Sequence, residues 1–201
     1  MKLYDANAGN AKRVRIFIEE KGIEVPRQTV ELGKDTRAPW FRNLNSLGEV
    51  PVLVLDDGHV ITESNAICRY LDIAFPQNPL MGTHAQEQGH IEMWSQRIYQ
   101  QIFLTVGLMV RHTLPLFEEV IEQVPAFAAT QRRAMPDRWK WLDQEMSDGR
   151  PFIAGDNFTF ADVQGMTALT IADIFDLGVP EDCAYVGKWA NGMRARPSWN
   201  A

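Results

Sequence analysis

Glu63 and Ser64 are the polar pair whose types and position best suit binding of a small charged ligand. They lie between a predicted strand ending at Thr62 and a predicted helix with apolar residues at helical spacing. A helix N-terminus carries unpaired N–H groups and partial positive charge, so it can bind a carboxylate. The Ser64 hydroxyl adds a further hydrogen-bond donor there. Glu63 supplies an acceptor for an ammonium group. The pair predicts recognition of the amino and carboxylate groups at one amino-acid end of a ligand. The alternative is that Ser64 or Thr62 only caps the helix.

Val50-Pro51 begins a short apolar run over residues 50–55, as expected of a buried strand. Proline is allowed at the start of a strand where no ladder N–H is needed, and this X-Pro bond is a candidate cis bond. A cis bond would leave the backbone N–H and C=O of Val50 free to pair with an extended peptide. Asp57-Gly58 then predicts a tight turn into a returning strand over residues 59–62.

The X-Pro strand, the Asp-Gly hairpin and the E-S-x-A-I helix start, all within 20 residues, resemble the thioredoxin-like domain of glutathione transferases. The resemblance implies that Val50, Pro51, Glu63 and Ser64 bind glutathione, with its γ-glutamyl end on the Glu-Ser pair. Glu49 stands where relatives often carry Lys or Gln directed at the glycine carboxylate. The resemblance therefore implies weaker binding at that end of the tripeptide, unless Lys34, Arg37 or Arg42 offsets the charge of Glu49.

The stretch after the first strand should meet the glutathione thiol. Bacterial relatives often read S-P-N-x-R/K-R there, whereas residues 8–13 read AGNAKR. Ala8 occupies the serine position and has no hydroxyl to donate. Asn10 is the remaining candidate catalytic residue, because its amide can donate to a sulfur and the backbone N–H groups of Ala11 and Lys12 can help. The alternative is that Asn10 caps a helix beginning at Ala11.

The elements that position these residues follow the order β-α-β and then β-β-α over residues 1–76. Pro76-Gln77-Asn78-Pro79 opens a predicted linker over residues 77–84. Residues 85–201 show helical periodicity and no convincing strand. The predicted fold is thus an α/β thioredoxin-like domain followed by an all-α bundle domain, again the glutathione transferase arrangement.

The helical half is predicted to contain a long helix ended by Pro115 and a second helix in which Pro136 marks a kink or a new start. A strongly apolar helix is predicted from about Ala161 to Phe175. Thr159 and Asp162 have the spacing of a capping box at its start. A similar element begins the sixth helix of the resembled family.

Composition excludes several classes of function. The chain has 20 basic and 26 acidic residues in 201, with no basic stripe, so no nucleic-acid partner is expected. The spacing of the four histidines predicts no metal site, and the two cysteines predict no disulfide framework. Cys68 is expected to be a small core residue. No apolar stretch is long enough to span a bilayer and the chain begins directly with a strand, so a cytoplasmic protein without membrane contact is expected.

The resemblance implies a transferase that conjugates the glutathione thiolate to a small hydrophobic electrophile in detoxification. Glutathione is then a co-substrate, no cofactor is needed, and the typical assembly is a homodimer. One alternative is a glutathione-dependent disulfide reductase or peroxidase, because nu-like relatives also rely on Asn or Thr near the sulfur. The other is a non-catalytic glutathione- or protein-binding module, which the hydroxyl-free Ala8 keeps open.

Overall fold

The computed structural model describes residues 1–201 and packs into two compact units. The first unit comprises residues 1–81 together with residues 197–201, and the second comprises residues 82–196. All four strands belong to the first unit, and the second is helical.

The first unit is built on a four-stranded mixed sheet in the order β2-β1-β3-β4. Strands β1 (Lys2–Asp5) and β2 (Arg27–Thr29) are parallel, whereas β3 (Val52–Val54) is antiparallel to β1 and to β4 (Val60–Thr62). Three helices belong to the same unit: α1 (Gly9–Lys21), α2 (Pro39–Leu44) and α3 (Ser64–Ala74). The predicted order of elements is confirmed.

Strand β3 is shorter than the run predicted from residue 50 to residue 55. Pro51 has no N–H to donate to a ladder, so pairing with β4 begins at Val52, opposite Thr62. Gly58 has a φ of 85° in the predicted turn, a conformation that glycine adopts without steric cost. Val50 and Pro51 therefore lie just in front of the first paired residue.

Helices α1 and α3 bury apolar faces in the core of the first unit. The largest buried apolar side chains of α1 are Val14, Ile16 and Phe17, and those of α3 are Ile67 and Leu71. Burial of each such side chain stabilises the fold by about 1.5–3 kcal/mol. The helix starts that flank the predicted site are thus anchored by packing along the bodies of both helices.

A buried ion pair joins the end of α1 to α3. Lys21 Nζ donates to Asp72 Oδ1 at 2.8 Å, and the two side chains are 0% and 8% exposed. Lys21 also donates to two backbone carbonyl oxygens after α3, those of Gln77 and Asn78. Asp72 also accepts from two backbone N–H groups, those of Leu80 and Met81. These bonds satisfy both buried charges and hold residues 77–81 against the first unit.

The last residues of the chain pack against α1. Pro197–Asn200 forms a 3-10 turn in which the buried Ser198 hydroxyl donates to the Glu20 carboxylate. Lys12 Nζ donates to the carbonyl oxygen of Trp199 at 2.7 Å and lies 5.5 Å from the centre of its ring. This segment therefore groups with the first unit although it follows the helices of the second.

The second unit contains five α-helices. They are α4 (Ala85–Ile98), α5 (Leu104–Arg111), α6 (Pro125–Glu145), α7 (Phe160–Ile174) and α8 (Ala184–Arg194). A π-helical stretch, Tyr99–Phe103, joins α4 to α5, so the predicted long helix is confirmed with a wider turn in its middle. No helix in the chain is long and apolar enough to cross a membrane. A mixed sheet domain followed by a helical domain confirms the predicted fold class.

Helix α6 continues through Pro136, so the predicted new helix start at this residue is wrong. Proline in a helix interior costs about 3 kcal/mol. Pro136 is exposed, and its neighbours Met135 and Trp139 are fully buried. Burial of these two large side chains on one face offsets the cost of the proline, whose ring faces away from the packed face.

The predicted capping box at the start of α7 is confirmed. The Thr159 N–H donates to Asp162 Oδ2 at 2.9 Å, and the Thr159 side chain pairs with the backbone at the third helical position. The fully buried Asp162 also accepts from the Ile153 N–H and from Trp189 Nε1, each at 2.9 Å. Burial raises the pKa of Asp162 to about 6, although these donated hydrogen bonds oppose the rise. The carboxylate therefore anchors α7 to the loop before it and to α8.

We predict that Lys21→Met lowers the free energy of unfolding by about 3 kcal/mol or more, because it leaves the Asp72 charge buried without its counter-charge. Urea denaturation followed by circular dichroism measures the change. Lys34→Met is the matched control, since Lys34 forms an exposed ion pair with Glu31 and its removal should have no measurable effect. Equal stabilities for the two variants would contradict this role of the buried pair.

Candidate active site

One open cleft in the first unit brings together all five residues predicted to form the site. The cleft is shallow and opens to solvent. The start of α1, the loop before β3 and the start of α3 supply its lining: Asn10, Asn45, Glu49, Val50, Pro51, Glu63 and Ser64. An extended ligand lying along the start of β3 would therefore meet both helix starts. The role of each residue in binding stays a prediction.

The loop before β3 requires glycine at position 48. Gly48 has a φ of 63°, and a Cβ added there would lie 2.6 Å from the Thr36 carbonyl oxygen and 2.8 Å from the Arg42 guanidinium. Carbonyl and guanidinium groups packed this closely leave no room for a side chain. Gly48 thus lets the chain turn tightly just before the residues that line the cleft.

Asn45 holds this loop and is a cleft residue that sequence reasoning missed. Its Nδ2 donates to the Glu49 carbonyl oxygen at 2.8 Å, and its Oδ1 accepts from the Leu47 N–H at 3.1 Å. Val50-Pro51 follows, joined by the cis peptide bond that the sequence suggested. No motif marks Asn45, because its contribution is a set of loop hydrogen bonds that only the folded chain displays.

Glu63 occupies an unusual backbone conformation between β4 and α3. Its φ is 64° and its ψ is 117°, and conformations of this kind cost a residue with a side chain about 1–3 kcal/mol. Glu63 is itself the N-cap residue, and no side chain caps α3. The alternative that Ser64 or Thr62 serves only as a helix cap is therefore wrong. The exposed Glu63 carboxylate is available beside the cleft.

Ser64 and Asn10 are linked through a third residue, Arg13. The Arg13 Nη1 atom donates to Ser64 Oγ at 2.6 Å and to Asn10 Oδ1 at 2.8 Å. Ser64 is 5% exposed and Arg13 only 1%, whereas Asn10 is exposed. The sequence marks Arg13 only as part of the stretch after the first strand. Its inward direction depends on the packing of α1 against α3, for which no local signal exists.

Asn10 is not a helix cap. Helix α1 begins at Gly9, and Ala8 is the N-cap with extended backbone, a φ of −143° and a ψ of 151°. The Ala8 carbonyl already accepts from the Lys12 N–H at 2.8 Å. The capping alternative for Asn10 is therefore wrong, as is the expectation that the Lys12 N–H is available. The backbone N–H groups of Gly9 and Ala11 precede that of Lys12, the first intrahelical donor, so neither has an acceptor within the helix.

Ala8 and Cys68 provide no reactive group. Ala8 packs, partly buried, on an apolar cluster that includes Ala11 and Val50, so its side chain offers only a methyl group. Cys68 is fully buried on α3, and burial raises the pKa of its thiol far above the ordinary range. The Cys68 thiol therefore stays neutral and inaccessible, in keeping with the predicted core role.

Comparison with known proteins covers both units. A family model described as the glutathione S-transferase N-terminal domain matches residues 9–73, and one described as the glutathione S-transferase C-terminal domain matches residues 108–197. Glutathione S-transferase 2 of Saccharomyces cerevisiae is 33% identical over 204 residues, an alignment that covers 98% of this chain and 87% of that protein.

Solved structures give the same result. A glutathione S-transferase domain-containing protein of Marinobacter aquaeolei is 32% identical with a TM-score of 0.91, over 99% of this chain and 100% of that one. Gtt2 of Saccharomyces cerevisiae is 33% identical with a TM-score of 0.91, over 100% of this chain and 99% of that one. The similarity therefore includes the strands and helices that form the cleft.

We predict that Glu63→Gly is more stable to urea than Glu63→Ala by about 1 kcal/mol, because glycine adopts a positive φ without steric strain. Both variants lack the carboxylate, so the comparison isolates the backbone. Equilibrium unfolding of the two purified variants is the measurement. Equal midpoints would mean that position 63 stores no strain.

Proposed function

The chain belongs to the glutathione S-transferase family and is a glutathione transferase, and from this premise we propose that it conjugates the glutathione thiolate to a small hydrophobic electrophile. The observation that carries the proposal is the single cleft in which Asn10 faces the same space as Glu63 and Ser64. One cleft thus offers groups for the amino-acid end of glutathione and a donor for its sulfur.

Binding is proposed to begin at the start of α3. The ammonium group of the γ-glutamyl end pairs with the Glu63 carboxylate, and its carboxylate accepts from Ser64 Oγ and from the N–H groups of the first helical turn. The cysteine backbone then pairs with Val50 as a short added strand. Glu49 lines the same cleft, and its like charge weakens affinity for the glycine carboxylate unless Lys34, Arg37 or Arg42 offsets it.

Thiolate formation is proposed to depend on Asn10. A free thiol has a pKa of about 8.5, and lowering it by about two units requires about 2.7 kcal/mol of preference for the thiolate. The Asn10 amide supplies one donor, and the N–H groups of Gly9 and Ala11 add the positive end of the α1 dipole. With Ala8 at the serine position, Asn10 is the side-chain donor that the start of α1 contributes to the cleft.

The proposed setting is detoxification in the cytoplasm by a homodimer. Both cysteines are free thiols, which suits a compartment in which thiols stay reduced. A homodimer is typical of the family, and sedimentation velocity tests it, with a monomer as the contradicting result. No metal ion or further cofactor is proposed to take part, because glutathione itself supplies the nucleophile.

A glutathione-dependent disulfide reductase is the second candidate, favoured by one observation: the start of α1 contributes an asparagine amide and no hydroxyl to the cleft. The same chemistry would extend to peroxidase activity. Turnover of a glutathione mixed disulfide by a Cys68→Ser and Cys183→Ser double variant, at a rate above conjugation of model electrophiles, would support this candidate. Loss of that turnover in the double variant would require a protein thiol and contradict it.

We predict that Asn10→Ala raises the thiol pKa of bound glutathione by about one unit, because the thiolate loses a hydrogen-bond donor. Conjugation at about pH 6 should then fall by up to about tenfold, and its pH profile should move to higher pH. Thiolate absorbance of the saturated complex as a function of pH is the direct measurement.

Asn7→Ala is the control for this experiment, since Asn7 is an exposed asparagine outside the cleft. It should leave the thiol pKa unchanged. An unaltered titration in Asn10→Ala would remove Asn10 from the mechanism. If the wild-type protein binds glutathione but leaves its thiol pKa unshifted, the proposed activation of the thiol is contradicted and a non-catalytic glutathione-binding role is favoured.

A further inference from the structure

We propose that Arg13 is a positioning residue that sets the direction of two hydrogen-bond donors of the glutathione site, one for the γ-glutamyl carboxylate and one for the sulfur. The inference rests on the proposed function, because it assigns a role within the same cleft. Arg13 lies under the cleft and does not line it. It acts on the ligand only through Asn10 and Ser64, its two hydrogen-bond acceptors on α1 and α3.

The geometry of the contact supports this role. A single guanidinium nitrogen, Nη1, lies 2.8 Å from Asn10 Oδ1 and 2.6 Å from Ser64 Oγ. That nitrogen carries two hydrogens, so it can donate one to each oxygen. Asn10 and Arg13 are neighbours on one face of α1 at a spacing of three residues, whereas Ser64 belongs to another helix.

The contact determines which end of the Asn10 amide meets the ligand. An arginine side chain has five donors and no acceptor, and it remains charged at every accessible pH. The amide can therefore pair with Arg13 only through its oxygen. Its Nδ2 is left at the opposite end, on an exposed side chain that lines the cleft. A flipped amide would offer an oxygen to the thiolate and repel it.

The same reasoning applies to Ser64. A hydroxyl has one hydrogen and two acceptor lone pairs, and Arg13 occupies one lone pair. The Ser64 hydrogen is then free to turn toward a carboxylate in the cleft. Because one guanidinium orients both groups, Arg13 couples recognition of the γ-glutamyl end to activation of the sulfur.

The test is a double-mutant cycle on the thiol pKa of bound glutathione at saturating concentration. Arg13→Met should raise that pKa by about one unit in the wild-type background and leave it almost unchanged in the Asn10→Ala background, because the donor it orients is already gone. Arg13→Lys retains a charged group that only donates, so it should restore most of the wild-type value. Arg15→Met is the matched control: Arg15 lies on the same helix and pairs with Asp5.

Two results would overturn the proposal. If the Arg13→Met shift persists in the Asn10→Ala background, Arg13 acts directly through its charge. If Arg13→Met leaves the thiol pKa of the saturated complex unchanged, Arg13 does not orient the Asn10 amide toward the sulfur. Failure of the proposed function looks different, because the wild-type protein itself would then leave the glutathione thiol unshifted.

A buried arginine can also be needed for folding, so a second variant keeps the test decisive. Arg13→Gln has a polar amide that pairs with Asn10 in either orientation. It should raise the thiol pKa by less than Asn10→Ala does, in a protein whose circular dichroism and unfolding midpoint are measured alongside. A wild-type thiol pKa in a folded Arg13→Gln variant would contradict the orienting role.

Discussion

Two buried cations on α1 hold it in register with α3, and the arrangement of the cleft depends on that register. Arg13 contacts Ser64 and Lys21 contacts Asp72, and each contact joins positions 51 residues apart. Both helices thus advance by the same number of residues between the first contact and the second. They therefore lie side by side and parallel. The first residue of α3, Ser64, therefore lies beside Arg13, about one turn into α1. This alignment is why Asn10 and Glu63 line one cleft.

The loop before β3 and the residue before α3 adopt backbone conformations with positive φ, which residues with a side chain rarely adopt. Gly48 turns where a side chain would collide with backbone, and Glu63 keeps a positive φ although glycine would adopt it more readily. Packing of Ile67 and Leu71 in the core offsets the strain at the start of their helix. An exposed carboxylate retained at a strained position agrees with the binding role proposed for Glu63.

The start of α1 contributes an amide, that of Asn10, to the cleft. The Ala8 methyl group packs on the apolar cluster. The next polar side chain is the Asn10 amide, whose oxygen accepts a hydrogen bond from the Arg13 guanidinium. A hydroxyl can rotate to donate, but an amide must be held with its NH₂ end outward. Holding that amide in one orientation is the role we propose for the buried Arg13.

The sequence by itself determined the order of strands and helices, the α/β domain followed by the helical one, the capping box of α7 and the five predicted residues that the cleft collects. Hydrophobic periodicity, turn chemistry and the short motif around Val50-Pro51 are local properties, so they can be read from the chain. The exact start of α1, the passage of α6 through Pro136 and the inward turn of Arg13 were decided only by tertiary structure. Each depends on whether a side chain finds its partner on another element, and the energy of burying that contact exceeds local preference.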